Sequence, residues 1–226
     1  MIFWGYLLTY AYVFFLLGLS TLLKYVFHAG SETTRKVVHI GCGFAWFIMA
    51  WFFGPTWHLL IPPVTFIILN YISYKKGTFS AMERAENPSL GTVYYPVSMT
   101  VMAAFTAFAD RRFLLIYGIA LLSLSLGDGF APIFGSIKKG NRKLYGGKSL
   151  YGTLSVFILS FLTAVLLLLF PFPEAFFTPS LPVLLLAGGA SALAASLLEL
   201  FSKKGLDNIF MPLGMSAVLY LILALV

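Results

Sequence analysis

The chain has very little charge and almost no cysteine. Charged residues make up only 10% of its 226 positions, whereas hydrophobic residues make up 60%. Soluble domains carry roughly 25% charged residues. The composition therefore excludes an ordinary soluble enzyme, and it equally excludes a disordered or collagen-like chain. Cys42 is the single cysteine, which excludes an internal disulfide framework.

A mean hydropathy of +0.92 instead predicts an all-α, polytopic membrane protein. Apolar residues do not alternate with a period of two, which argues against an outer-membrane barrel. The first apolar run lacks a basic start, so we expect no cleavable signal peptide. Eight apolar stretches predict about eight transmembrane helices: 2–23, 37–53, 57–74, 91–109, 113–135, 149–170, 181–201 and 209–226. We expect a single transmembrane domain over 1–226, with 2–23 as an extra helix beside a catalytic core at about 31–215.

The positive charges lie mainly in alternate connectors. Thirteen of the fifteen Lys and Arg fall in the odd-numbered connectors, and only Arg111 and Arg112 fall in an even-numbered one. The positive-inside rule then places the odd connectors in the cytoplasm and both termini on the other side. This distribution accounts for the net charge of +7 without a nucleic-acid partner. The longest connectors face the cytoplasm in this arrangement, so we expect the active site there.

Asp128 is an acidic residue well inside the fifth apolar stretch. A carboxylate at the centre of a membrane helix costs about 2.5–3.5 kcal/mol, so it indicates function by default. Gly127 and Gly129 flank it, and Pro132 removes the N–H that would bond the Asp128 carbonyl. We expect a broken helix that presents oxygen ligands to a metal or groups to a phosphate. The alternative is a structural ion pair with a basic side chain.

A basic cluster opens the second helix. Arg35 and Lys36 lie four and three residues before His39, so the three side chains share one helix face. Two cations and an imidazole at a membrane boundary suit a polyphosphate. The alternative is interfacial snorkelling of the long side chains. Ser31 is the expected N-cap, with Glu32 suited to the helix dipole.

A glycine-rich segment, Gly146-Gly147-Lys148-Ser149, ends the connector before the sixth helix. Its backbone N–H groups, the Lys148 ammonium and the helix N-terminus together predict an anion site. It is not a P-loop, because Arg142 occupies the position of the first glycine and no strand precedes it. The alternative is general attraction of the basic loop to lipid headgroups.

Other acids lie on the same predicted side of the membrane. Glu86, Glu199 and Asp207 each suit a simple ion pair when taken singly, and Pro212 frees the carbonyl of Asn208. Together with Asp128 they place acids beside the bases. We do not expect a zinc site, since His39-x-x-Cys42 supplies only two ligands.

The order and spacing of five motifs resemble the polyprenol kinase family, over about 35–215. The family comprises dolichol, phytol and farnesol kinases and the CTP-dependent diacylglycerol kinase, and it is related to phosphatidate cytidylyltransferase. The motifs are Arg35-Lys36-x-x-His39, Leu90-Gly91 with Tyr94-Tyr95-Pro96, Gly127-Asp128-x-x-Ala131 with Gly135, Lys148-Ser149-x-x-Gly152, and Gly205-Leu206-Asp207-Asn208 with Pro212.

The resemblance implies an integral membrane kinase that transfers the terminal phosphate of CTP, or of another nucleoside triphosphate, to a lipid alcohol such as a polyprenol, phytol or diacylglycerol. Asp128 matches the essential acid and the Mg²⁺ ligand, with Glu86 or Asp207 as a second ligand or as the group that orients the hydroxyl. Arg35, Lys36 and Lys148 match the basic catalytic groups. The residues expected at the nucleotide are Gly135, Lys138, Ser149, Gly152, His39 and Asn208.

Two alternatives stay open. A cytidylyltransferase would make a CDP-lipid from a lipid phosphate, but Tyr151 stands where that enzyme has Glu, and its long C-terminal signature is missing. An ion-coupled transporter would bind its ion between broken helices, but the polar groups cluster toward one face and no inverted repeat is evident. The lipid acceptor, the nucleotide base and the oligomeric state are not determined by the sequence.

Overall fold

The expected helical architecture is present. A computed structural model describes residues 1–77, 90–170 and 179–225. Within these ranges the regular structure is helical, apart from one isolated bridge between Lys143 and Ser149. The helices are α1 Ile2–Tyr25, α2 Ser31–Phe53, α3 Ile61–Lys76, α4 Gly91–Phe108, α5 Phe113–Gly135, α6 Leu150–Leu169, α7 Leu181–Phe201 and α8 Asp207–Ala224.

Six of these helices are long and apolar enough to cross a membrane, namely α1, α2, α5, α6, α7 and α8. The chain is therefore a multi-pass, all-α membrane protein. The expected count of eight spans is not reached by this measure, since α3 and α4 fall outside the six. With 16 residues, α3 is about 24 Å long, which is shorter than a hydrocarbon core of about 30 Å.

Two helix starts differ from the sequence-based expectation. The stretch from 57 begins as a short 3-10 turn, Trp57–Leu60, and α3 follows with Pro62 and Pro63 in its first turn. Proline fits there because the first N–H groups of a helix have no internal partner. The N-cap of α2 is Gly30 rather than Ser31, and no side chain caps this end. The helix does extend back over Arg35 and Lys36 as expected.

The central helix of the bundle is α5. Every residue from 113 to 125 is buried, and α5 packs against α2, α4, α6 and α8. A helix that is apolar all round belongs in such a position because it has no face for water. This burial fixes the position of Asp128, which lies about two turns before the end of the helix.

The far end of α8 is tied to the α4–α5 connector. The Tyr220 hydroxyl donates to Asp110 Oδ2 at 2.8 Å, and the Arg112 guanidinium donates to the same carboxylate. The hydrogen bonds from Arg112 and Tyr220 outweigh partial burial and lower the pKa of Asp110 to about 2. The carboxylate is therefore ionised throughout the physiological pH range, and its hydrogen bonds hold α8 against the α4–α5 connector.

The contact between α2 and α5 yields a prediction about stability. A Cβ at Gly118 would overlap the indole of Trp46, which is completely buried, whereas a Cβ at Gly189 meets no atom within 4 Å. We expect Gly118→Val to destabilise the fold by about 1–3 kcal/mol, as overpacking does. Gly189→Val is the matched control and should unfold close to the wild-type temperature. Thermal unfolding in detergent measures both variants, and equal melting temperatures would contradict the prediction.

Candidate active site

A lysine from α2 holds the buried acid of α5. The Lys36 ammonium donates to Asp128 Oδ2 at 2.7 Å and to the Asp128 carbonyl at 2.6 Å. Both side chains are almost buried, with 11% and 14% of their surfaces exposed. The pair is therefore a buried contact with two hydrogen bonds, and it joins α2 to α5, which are distant in sequence.

This contact corrects one expectation. The helix was expected to break near Asp128, but α5 continues through Pro132 to Gly135. Proline removes the backbone donor of the Asp128 carbonyl, and the Lys36 ammonium supplies a replacement. The freed carbonyl was predicted correctly, whereas the break was wrong because a side chain satisfies that carbonyl.

Two further groups lie beside the Lys36–Asp128 pair, His39 of α2 and Tyr95 of α4. His39 Nε2 lies 3.3 Å from Asp128 Oδ2, without the alignment of a hydrogen bond. The Tyr95 ring meets the His39 ring edge-on with centroids 4.9 Å apart, and its hydroxyl is 2.7 Å from Ser125 Oγ. Close approach is possible because Gly129 leaves room for Ile40 of α2. The glycine beside Asp128 thus serves packing.

A second lysine–carboxylate group lies beside the first. The Lys148 ammonium donates to Glu199 Oε1 at 2.5 Å and to the Glu199 carbonyl, and it lies 3.7 Å from Asp207 Oδ2. Lys148 precedes α6, Glu199 is near the end of α7, and Asp207 begins α8. Lys148 therefore joins three successive segments at the same end of the bundle as Asp128.

Three carboxylates converge between the two lysines. One oxygen each from Asp128, Glu199 and Asp207 lies within 4.8 Å of the others. Glu199 Oε2 and Asn208 Oδ1 are buried and have no hydrogen-bond partner among the described residues. Hard oxygen donors with unused capacity are what Mg²⁺ and similar ions bind. These residues therefore fit a divalent cation.

The start of α6 brings the glycine-rich segment onto this acidic group. Ser149 caps the helix, with Oγ accepting from the Gly152 N–H at 3.1 Å. A Cβ at Gly152 would lie 3.0 Å from the Ala131 carbonyl, and one at Gly135 would lie 2.7 Å from Ser149 Oγ. Both glycines therefore allow α6 to approach α5 closely.

Asn141 fastens the connector that leads to this helix. Its Nδ2 donates to the Gly135 carbonyl at 2.9 Å, and its Oδ1 accepts from the Tyr151 N–H at 3.1 Å. One side chain thus links the end of α5 to the start of α6. The link holds Lys148 and Ser149 beside the acids.

Two cavities meet at the acids. The acidic cavity, with about 820 Å³ of empty volume, is lined by the three acids together with Lys36, Lys143, Lys148, Ser149, Gly135 and Gly152. The basic cavity, with about 750 Å³, is lined by Arg35, Lys148, Lys203, Lys204 and Asn208. Asp128 and Asp207 line both, so a ligand in the basic cavity adjoins the acidic group.

Most of the predicted site residues come together here. Asp128, Asp207, Lys36, His39, Lys148, Ser149, Gly135, Gly152, Arg35 and Asn208 all lie at these cavities or in contact with them. Lys138 is exposed and is not among the residues that line them. Glu86 lies outside the described residues.

The structure adds residues that sequence reasoning did not place in the site. Glu199 forms the expected ion pair, with Lys148, and it also belongs to the acidic group. Lys203 and Lys204 had counted only as connector charge, yet both line the basic cavity. An acid in an apolar run was the available signal for Glu199. For Lys203 and Lys204, the available signal was their position directly before the Gly205-Leu206-Asp207-Asn208 motif.

The fold and site define a multi-pass membrane protein with clustered acidic and basic groups side by side at one end of its helices. A protein named phytol kinase, from Synechocystis sp., is 32% identical over 186 residues, which cover 81% of this chain and 76% of that protein. No family model and no solved structure matches the chain. The chain belongs to the polyprenol and phytol kinase family, whose members are membrane lipid kinases.

The Lys36–Asp128 pair leads to a prediction about folding. Lys36→Met leaves a buried carboxylate and a carbonyl unpaired, so we expect a loss of about 3–5 kcal/mol. Adding Asp128→Asn should recover about 1–3 kcal/mol of this loss, because the unpaired charge disappears. Lys76→Met, at the exposed end of α3, is the control and should be neutral. Thermal unfolding measures Lys36→Met, Asp128→Asn, the double variant and Lys76→Met. If the loss of stability in the double variant equals the sum of the losses in the two single variants, Lys36 and Asp128 are not coupled and the prediction is wrong.

Proposed function

We propose that the protein transfers the terminal phosphate of a nucleoside triphosphate, CTP in the first instance, to a lipid alcohol in a Mg²⁺-dependent reaction. One observation carries the proposal: the acidic group and the basic cavity share Asp128 and Asp207. A site for a divalent ion thus adjoins a site for phosphates. Phosphoryl transfer requires this combination, because catalysis depends on positioning and on charge stabilisation.

The triphosphate is best accommodated in the basic cavity. Four cations line it, namely Arg35, Lys148, Lys203 and Lys204, against the two acids Asp128 and Asp207. Lys204 and Gly205 have positive φ angles of 55° and 85°, and they form the tight turn before α8. That turn directs the lysine pair and the N-terminus of α8 at the same space, where helix dipoles favour an anion.

The acidic group is the proposed Mg²⁺ site. Asp128 and Glu199 would hold the ion, with Asn208 Oδ1 as a further oxygen, and Asp207 is the third carboxylate of the group. The bound ion would supply neutralisation of phosphate oxygens and orientation of the triphosphate. Lys36 and Lys148 pair with carboxylates of this group and so offset part of its negative charge.

The transfer step requires little from the protein beyond placement. The acceptor hydroxyl oxygen forms a bond to the terminal phosphorus, and the bond from that phosphorus to the bridging oxygen breaks. The nucleoside diphosphate leaves with the electron pair. Asp207, which lines both cavities, is the proposed group that orients the hydroxyl and accepts its proton, while Arg35 and Lys148 neutralise the phosphates.

The site is proposed to face the cytoplasm, with both termini on the other side. Its residues belong to the ends of α2, α5, α6, α7 and α8 that adjoin the odd-numbered connectors. Those connectors carry most of the Lys and Arg residues, which the positive-inside rule assigns to the cytoplasm. Soluble nucleotide is available on that side.

A product assay tests the kinase proposal. Purified protein in lipid nanodiscs is incubated with Mg²⁺, a panel of labelled nucleotides and farnesol, phytol, a polyprenol or diacylglycerol. We expect lipid phosphate and nucleoside diphosphate. Pyrophosphate with a CDP-lipid from a lipid phosphate would instead identify a cytidylyltransferase. If no combination of nucleotide and acceptor gives a product, the proposal is overturned.

The metal site has a separate test that does not need turnover. Asp128→Asn removes one carboxylate charge from the acidic group, so we expect Mn²⁺ binding, followed by electron paramagnetic resonance, to weaken at least tenfold. Activity should fall in parallel. Asp110→Asn is the matched control at the far end of the bundle and should bind Mn²⁺ within twofold of wild type. Equal weakening in both variants, or unchanged binding in Asp128→Asn, would reject the site.

A further inference from the structure

Three basic side chains in the connector between α5 and α6 take no part in the candidate active site. They are Lys138, Lys139 and Arg142, called the outer bases here; all three are exposed, and they line neither the acidic nor the basic cavity. The sequence around them offers no neutralising partner, since residues 129–149 include five Lys and Arg and no acid. The outer bases therefore form an excess of positive charge that the proposed reaction does not use.

Other basic residues at this end of the bundle have partners. Arg35 donates to Glu32 Oε1 at 2.6 Å, and the Lys203 ammonium lies 4.7 Å from the centre of the Tyr145 ring. The two lysines of the site bind acids, as described above. The outer bases have no ion pair and no aromatic ring contact within the part of the chain that the structure describes. Their charges are therefore available to an external anion.

An apolar surface leads directly to the outer bases. Ile133, Phe134 and Ile137 are exposed by 59%, 41% and 46%, and they cover the end of α5 and the residues just after it. Large apolar side chains on the outside of a multi-pass membrane protein face lipid. Lys138 follows Ile137 at once, and one residue spans at most about 3.8 Å of chain. The outer bases therefore lie at the depth of the lipid headgroups.

Hydrogen bonds hold this connector in a defined shape. The Leu150 N–H donates to the Arg142 carbonyl at 2.8 Å, and the Leu144 N–H donates to the Lys148 carbonyl at 2.6 Å. These bonds close a short antiparallel turn. Asn141, between the outer bases, fastens the turn to both neighbouring helices. An ordered backbone lowers the entropy lost when a ligand binds, so the connector is prepared for binding.

We propose that the outer bases bind the headgroups of anionic phospholipids, on a surface separate from the polyphosphate site. Charge complementarity and position support the proposal: unpaired cations follow directly on a lipid-facing apolar surface. A cluster of Lys and Arg just beyond a membrane helix attracts anionic lipids by about a factor of five for each base. The proposal goes beyond the kinase function and does not depend on it, because binding is measured without turnover.

A neutral triple variant tests this surface. Wild-type protein and the variant Lys138→Gln, Lys139→Gln, Arg142→Gln are titrated in neutral detergent with phosphatidylglycerol or phosphatidylcholine, and native mass spectrometry measures the bound lipid. We expect the neutral variant to bind phosphatidylglycerol at least tenfold more weakly than wild type. Binding of phosphatidylcholine should agree within twofold, because its headgroup carries no net charge.

Two further variants separate a localised surface from general attraction. The control Lys24→Gln, Lys75→Gln, Lys76→Gln removes the same number of charges at the ends of α1 and α3 and should bind phosphatidylglycerol within threefold of wild type. The variant Lys138→Arg, Lys139→Arg, Arg142→Lys keeps the charge and should match wild type within twofold. An equal loss in the neutral variant and the control, or no loss in either, would overturn the proposal.

Hydrogen–deuterium exchange of the wild-type protein locates the lipid without any substitution. We expect phosphatidylglycerol to slow amide exchange at least threefold over residues 138–144 and to leave residues 202–206, the lysine turn of the basic cavity, within a factor of 1.5. Protection confined to 202–206 would place the headgroup in the basic cavity and would overturn the proposal.

Competition with nucleotide distinguishes a lipid headgroup from a soluble phosphate as the ligand of the outer bases. CTP at saturating concentration, without a divalent ion, should change the affinity for phosphatidylglycerol less than twofold in the wild-type protein. If CTP displaces the lipid and protects residues 138–144 from exchange, the outer bases belong to the polyphosphate site and the proposal is wrong.

Discussion

The structure depends on one buried contact, in which the Lys36 ammonium binds both the carboxylate and the carbonyl of Asp128. A carboxylate in an apolar helix is tolerated only when it has an opposite charge beside it and donors for its hydrogen bonds. The Lys36 ammonium supplies both, and the contact fixes α2 against the central helix α5. The second lysine, Lys148, does the same for Glu199 and Asp207. Two cations thus allow three acids to be held together away from bulk water.

The same arrangement explains why the site lies at the helix ends. The N-termini of α6 and α8 and the C-termini of α5 and α7 meet there, together with the first turns of α2. Helix N-termini favour anions, and the acids favour cations. Groups that favour anions and groups that favour cations therefore lie side by side, which suits a ligand that combines phosphates with a metal.

Much of this organisation was predictable from single residues. Composition predicted the all-α membrane fold, and Asp128 stood out because few acids occur inside apolar runs. Pro132 predicted a freed carbonyl, but only coordinates identify Lys36, 92 positions away, as its partner. Glu199 and Lys203 were underestimated for the same reason, since their role depends on which helix ends meet. The shortened α3 follows from Pro62 and Pro63, whose effect on a helix start is a general rule.

The position of the site at one end of the bundle has a consequence for the membrane itself. A lipid alcohol carries its hydroxyl at the bilayer surface, so it can reach a site at the helix ends without crossing to the opposite leaflet. Once phosphorylated, the headgroup is charged and can no longer follow its chain into the hydrocarbon interior. The product therefore stays in the leaflet where it was made, and an enzyme of this design would enrich one side of the bilayer in phosphorylated lipid without moving any lipid across.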